Sequence, residues 1–191
     1  MAIVVNLIGQ PSCGKTSTSV KLLAHLKELG IECEYCPEAA KIYLYDGKKI
    51  NKYMQFGLFG SECTTQSRLF DSVDVIISDS SPVLAAFYEY FYNGDNALSP
   101  ACKEFYKKAQ EDGIKVLNFF LPRKKKYNPK ARYQTEEEAT NVANKLKEWL
   151  TWEGYDYEIL DCPDEERINK ITACLQKLTN NFEGMIDESD S

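Results

Sequence analysis

Ala2 to Ile8 is a near-continuous run of Ala, Ile, Val and Leu with a single polar residue, Asn6, inside it. That pattern predicts a strand covered on both faces of a parallel sheet. Similar runs at Val73 to Ser78 and Val116 to Leu121 predict two more. Two other segments alternate: Ile31, Cys33 and Tyr35 against Glu32 and Glu34, and Tyr155, Tyr157 and Ile159 against Asp156 and Glu158. Alternation marks a strand with a wetter face, so these two are expected at the sheet edges. Helical patterns lie between the strands. Thr16 to Leu29 puts Val20, Leu23, Leu26 and Leu29 on one stripe and stops at Gly30. Ser99 followed by Pro100 reads as an N-cap for a helix to about Asp112. Thr135 with Glu138 predicts a capping box for a helix through Trp149 or Trp152, and Asp164 to Leu178 gives the last. Strands alternating with helices predict a parallel α/β fold with right-handed crossovers. With the alternating strands at the edges and the first strand central, the expected order is 2-3-1-4-5.

Composition narrows the class. The chain has 191 residues, 43% of them hydrophobic and only 17 Gly plus Pro, enough for one compact domain, expected over residues 1–182. No stretch approaches the ~18 apolar residues of a membrane span, so a soluble, cytoplasmic protein with no membrane partner is expected. The seven cysteines are scattered. The one zinc-like pair, Cys33 and Cys36, lacks a second pair and has only His25 to add, so reduced thiols are expected. The net charge of −6 disfavours a protein that coats nucleic acid through its overall field. Its distribution is uneven: residues 123–132 hold six cations and no anions, while residues 183–191 form an acidic tail expected to be disordered.

The chemistry begins at Gly9-Gln-Pro-Ser-Cys-Gly14-Lys15-Thr16, which fits G-x-x-x-x-G-K-[ST] at every fixed position. It follows a predicted strand and precedes a predicted helix, the context this motif requires. Its glycines let successive N–H groups point at a phosphate, and the helix start adds a positive dipole end. The motif predicts a three-layer P-loop NTPase fold binding ATP and Mg²⁺ through Gly9, Pro11, Ser12, Cys13, Gly14, Lys15, Thr16 and Ser17. Lys15 bridges the β- and γ-phosphates in that reading, and the Thr16 hydroxyl ligates the metal. Cys13, a spacer in the loop, faces the same site.

Asp79 ends the strand Val73 to Ser78 and is expected beside the first strand with its carboxylate on Mg²⁺. Ser80 follows it in place of Glu, so the paired acids of motor-type ATPases are missing. No glycine lies three residues after an aspartate and no Asn-Lys-x-Asp occurs, which disfavours a guanine-reading switch. Phosphoryl transfer to a small acceptor remains. Glu38, in Pro37-Glu-Ala-Ala-Lys41, emerges at the carboxyl end of the second strand, either to bind or deprotonate an acceptor hydroxyl or as a first-turn helix acid. Gln66 and Arg68 either touch substrate or face water, and water is the favoured reading. The basic stretch, about residues 122–134, reads as a lid in which Arg123 and Arg132 neutralise the transferred phosphoryl, with Lys124, Lys125 and Lys126 solvated or steering anions.

The loop at Gly9, Pro37-Glu-Ala-Ala-Lys41, Asp79-Ser-Ser-Pro, Phe120-Leu-Pro-Arg with Arg132, and Gly154-Tyr-Asp-Tyr together resemble the small AAA-type ATPase/kinase domains. That group includes the nicotinamide riboside kinase domain of bacterial NAD-biosynthesis regulators, and phage nucleotide kinases look similar. The resemblance covers roughly residues 2 to 162. It implies that Lys15 and Thr16 bind ATP–Mg²⁺, that Glu38 and Asp79 flank the acceptor, and that Arg132 is the lid arginine. Family members often carry an acidic-Gly pair before that arginine; Asn128-Pro-Lys-Ala stands here instead. So cationic a lid suits a phosphorylated acceptor, a monophosphate or a nucleic-acid end, better than a neutral nucleoside. The expected function is ATP-dependent phosphoryl transfer to a nucleoside, nucleotide or modified base. The competing reading is an ATP-gated module whose lid grips nucleic acid or a partner; oligomerisation is left open.

Overall fold

The structure, a computed structural model, describes residues 2–47, 50–124 and 135–178. Most of the basic stretch, including Arg132, Lys125 and Lys126, and the acidic tail lie outside the described residues.

Five parallel strands form one sheet: β1 (Ile3–Ile8), β2 (Cys33–Cys36), β3 (Val75–Ser78), β4 (Lys115–Phe120) and β5 (Glu158–Ile159), in the order β2-β3-β1-β4-β5. The expected order holds. All six residues of β1 are buried, as its unbroken apolar run requires of a central strand. Seven helices are present among the described residues: α1 (Lys15–Glu28), α2 (Ala40–Tyr45), α3 (Met54–Ser67), α4 (Pro82–Asn93), α5 (Leu98–Glu111), α6 (Glu136–Trp152) and α7 (Asp164–Leu178).

Side chains of β1 alternate between two packed layers. Ile3, Val5 and Leu7 join Leu22 and Leu26 of α1 and Ile168, Ile171 and Leu175 of α7. Ile8 joins Val83 and Phe87 of α4, Cys102 and Tyr106 of α5 and Leu146 and Trp149 of α6 on the other face. Fully burying each such aliphatic side chain contributes ~1.5–3 kcal/mol, so both faces must be covered. Three helices hand over to strands by the same hydrogen-bonded end, α6 through Gly154 on Thr151 and Tyr155 on Leu150. At α1, the Gly30 N–H bonds Lys27 O and the Ile31 N–H bonds Leu26 O; at α5, Gly113 and Ile114 repeat this on Gln110 and Ala109. This is a Schellman closure, and it aims the chain straight into β2 and β4. The Thr135–Glu138 capping box opens α6 as expected.

Four expectations need correction. The buried stripe of α1 is Thr18, Ser19, Leu22 and Leu26, whereas Val20 is 51% exposed. The helix begins inside the Gly9 loop, so its rotation follows from that loop and not from its best apolar stripe. Ser99 does not cap α5; the helix starts at Leu98, whose N–H is bonded by the buried Glu89 carboxylate, and the Ser99 hydroxyl donates to Glu153. The alternation of Tyr155 and Tyr157 breaks at Ile159, which is 45% exposed while Leu160 is buried. Gln66, expected in water, is fully buried on α3: its amide donates to Asn6 Oδ1 at 3.0 Å and accepts from the Tyr106 hydroxyl at 3.2 Å. Arg68 is exposed as expected.

Candidate active site

The segment from Gly9 to Thr16 connects β1 to α1 through three positive φ angles, at Gly9 (156°), Ser12 (62°) and Gly14 (96°). Such backbone makes a concavity lined by N–H groups, and Gly14 opens α1 with its amino end on that concavity. Gly9 has no room for a side chain. A Cβ there would stand 2.7 Å from the Leu121 carbonyl oxygen and 2.8 Å from Cys13 Sγ. Pro11 and Cys13 are buried, Ser12, Lys15 and Thr16 half-buried, and Ser17 exposed. Cys13 packs in the core beside Leu7 and Leu22, and its Sγ lies 4.0 Å from Lys15 Nζ. The Lys15 ammonium folds over its own loop, donating to Gly9 O at 2.8 Å and Gln10 O at 3.3 Å.

A residue outside the loop holds that loop in place. Arg167 of α7 is 1% exposed and its guanidinium donates to Cys13 O, Leu160 O, Pro122 O and the Asp164 carboxylate. One planar fork thus ties the Gly9 loop to the ends of β4 and β5. Nothing in the sequence marks Arg167, because its partners are mostly backbone carbonyls from three distant segments.

Across the sheet, the ends of β2 and β3 bring acids to the same place. The Thr16 hydroxyl donates to Asp79 Oδ2 at 2.6 Å, and the Tyr35 hydroxyl of β2 donates to the same oxygen at 2.8 Å. Lys41 Nζ donates to Thr16 Oγ1 at 2.8 Å and lies 3.7 Å from Asp79 Oδ2 and 3.3 Å from Glu38 Oε2. The structure thus brings Thr16, Glu38 and Asp79 together and adds Tyr35 and Lys41. Burial, reinforced by the Asp79 charge, pushes the Tyr35 phenol well above its ordinary value, so it remains a donor.

Asp79 is fully buried, and its Oδ1 has no hydrogen-bond partner among the described residues. A buried carboxylate oxygen without a donor is costly. A hydroxyl and a carboxylate with one unused oxygen are hard donors that fit Mg²⁺, which takes one or two protein oxygens and completes its shell with phosphates and water. Among the described residues no group of three or more His, Cys, Asp or Glu could hold a metal by itself.

Behind this cluster sits a third acid. Glu62 of α3 is 2% exposed and accepts from the Ala39 N–H at 3.3 Å. Burial pushes its carboxyl up to about 8, against bonds from Ala39 and Ser80 that favour the charged form. It braces the turn that carries Glu38 and Lys41.

The residues expected in a lid are less assembled. Arg123 lies 3.2 Å from Glu136 and donates to Thr140 at 3.4 Å, so it is directed at the first turn of α6. Lys124, expected in solvent, is half-exposed and paired with Asp161. Arg132 lies outside the described residues.

Comparison with known proteins places this architecture. A NadR protein solved in complex with NR superposes with a TM-score of 0.65 at 16% identity, over 90% of this chain and 50% of that one. The chain thus spans half the length of that relative. A deoxyadenosine kinase from M. mycoides, solved with dCMP and a flexible dCDP, gives a TM-score of 0.54 at 16% identity, over 92% of this chain and all of that one. At this identity the likeness establishes the fold alone, an α/β P-loop NTPase-like fold. No curated protein matches the chain in sequence. No helix among the described residues is long and apolar enough to cross a membrane. The family described as AAA domain matches residues 4–167, and the chain, with its Gly9 to Thr16 loop at the head of α1, belongs to that family.

Proposed function

We propose that this protein is a P-loop kinase that transfers the γ-phosphoryl of ATP to a nucleoside, nucleotide or modified base. The observation that carries the reading is the convergence of Thr16, Asp79 and Glu38 beside the Gly9 loop, where a phosphate binder, a metal-binding pair and a spare carboxylate share one end of the sheet. The fold shared with solved nucleoside kinases supports it.

The loop amides and Lys15 hold the triphosphate, which requires Lys15 to leave Gly9 O and Gln10 O for the phosphate oxygens. Thr16 and Asp79 would hold Mg²⁺, which when bound would offset the negative charge of the phosphates. Glu38 orients the acceptor hydroxyl and takes its proton as the bond to phosphorus forms. Arg132 serves as the lid arginine, and Arg123 is the second candidate for offsetting the transferred phosphoryl charge. The remaining barrier reduction comes from placing the two reactants in line. The domain is proposed to extend over residues 1–182, cytoplasmic, with the acidic tail outside it.

Release of ADP is measured against a panel of nucleosides, nucleotides and DNA ends. Acceptor-stimulated release with a phosphorylated product is expected. Steady basal hydrolysis untouched by every acceptor defeats the proposal in favour of an ATP-gated binding module.

A further inference from the structure

We propose that Lys41 is a built-in cation for the metal position: its ammonium holds the place beside Thr16 and Asp79 until Mg²⁺ arrives with a nucleotide, so the site takes metal only together with a triphosphate. The inference rests on the reading of Thr16 and Asp79 as the metal pair.

Lys41 Nζ touches both members of that pair, 2.8 Å from Thr16 Oγ1 and 3.7 Å from Asp79 Oδ2. A metal bound through Thr16 Oγ1, whichever Asp79 oxygen completes the pair, cannot share that hydroxyl with an ammonium already 2.8 Å from it. Asp79 is wholly buried, and an uncompensated carboxylate there would be expensive, which explains why a lysine three-quarters buried is spent on it. Lys41 also has somewhere to go. Glu38 lies one helical turn before it, already 3.3 Å away, and can keep the ammonium when it leaves Thr16.

The balance of charge sets the order of binding. Asp79 and Glu38 carry two negative charges, and Lys15 and Lys41 two positive ones, so the cluster is balanced with no ligand present. A bare divalent ion adds two positive charges and must also evict the ammonium from its best acceptor. A nucleotide brings the anionic oxygens that compensate both Lys15 and the metal. The single charge on Lys41 thereby turns two separate binding events into one.

The test is metal binding without turnover. Free Mn²⁺ is titrated with the protein and followed by its electron paramagnetic resonance signal, with and without a non-hydrolysable ATP analogue. Without nucleotide, Lys41→Met is expected to bind Mn²⁺ about tenfold tighter than wild type or more, because a like charge has left the site. Adding Asp79→Asn to that variant removes the gain. Lys41→Gln keeps a donor for Thr16 while dropping the charge, and must show the same gain. Equal nucleotide-free affinity in wild type and both Lys41 variants, with Mn²⁺ binding in the presence of the analogue still dependent on Asp79, overturns the proposal and leaves the metal pair standing. Binding with the analogue that ignores Asp79→Asn overturns the metal pair itself, and Lys41 with it.

Discussion

Two polar groups that a core should reject decide most at the level of single residues. Asn6, the one polar side chain in the first strand, is completely buried and lies in a closed set of hydrogen bonds: it donates to the Tyr106 hydroxyl and to Asn118 Oδ1, each at 3.0 Å, and accepts from Gln66. A fully paired network of this kind fixes the positions of β1, α3, β4 and α5 relative to one another. Glu62 is the opposite case, an acid held mostly by its own neutrality. Its carboxyl is raised from an ordinary 4.5 to about 8 in the folded chain, so the folded state keeps a proton that the unfolded state has lost between those values. Stability therefore falls as pH rises from about 4.5 to 8, by on the order of 4 kcal/mol in total. Glu62→Gln, neutral at every pH, is expected to abolish that fall, seen as urea midpoints that no longer drop between pH 5 and 9. A steeper drop in the variant would contradict the account. Lys15 is a residue of another kind: half-buried and bonded only within its own loop, to two carbonyls and the Cys13 sulfur, it stabilises little. Lys15→Ala is expected to lower ATP affinity about 10- to 100-fold while leaving the melting temperature within a few degrees, measured by calorimetric titration and thermal unfolding.

Elements matter here chiefly through how they are joined. The Gly9 loop belongs to β1 and α1, yet its position is fixed from α7, whose Arg167 bonds the Cys13 carbonyl while also holding the ends of β4 and β5. Arg167→Met keeps much of the bulk and leaves three buried carbonyls without their donor. A loss of roughly 3 kcal/mol is expected in denaturant unfolding, together with weaker ATP binding, because the loop loses its brace. A stability loss with unchanged ATP affinity would confine Arg167 to structure. The elements also show what the sequence could and could not disclose. β1, α6 and α7 were legible because an unbroken apolar run, a capping box and an amphipathic stripe each state one structure locally. α3 was not, and its buried face explains why: Gln55, Leu58, Glu62 and Gln66 are three polar residues to one apolar, so hydrophobic periodicity has almost nothing to detect. The site divides the same way. Gly9, Lys15 and Thr16 stand in a pattern that chemistry dictates at fixed spacing and Asp79 ends an apolar strand, whereas Lys41, Tyr35 and Arg167 act through contacts between segments that only folding brings together.

Over the whole molecule, the balance between net charge and its placement bears on how ligand arrives. The chain carries −6 overall, which on average repels ATP. Cations are nonetheless concentrated in one part of the molecule: Lys15, Lys41, Arg123 and Lys124 lie at or near the site end of the sheet, and the sequence adds Lys125, Lys126, Lys130 and Arg132 in the following segment. Several of these charges are already spent, Lys41 on Asp79 and Glu38, Arg123 on Glu136, and Lys124 on Asp161. Any steering of ATP then falls to cations not spent in this way, and a field from exposed charges acts on the encounter, not on the bound complex. It is also screened beyond ~10 Å at 0.1 M salt. Replacing Lys124, Lys125 and Lys126 together by Ala is therefore expected to slow association of a fluorescent ATP analogue several-fold at low salt and to leave its dissociation rate nearly unchanged. Raising the salt should slow the wild type towards the variant until the two coincide. Stopped-flow traces at a series of salt concentrations decide the matter. A change confined to the dissociation rate would instead place one of the three lysines on the nucleotide itself and would move the lid from steering to direct contact.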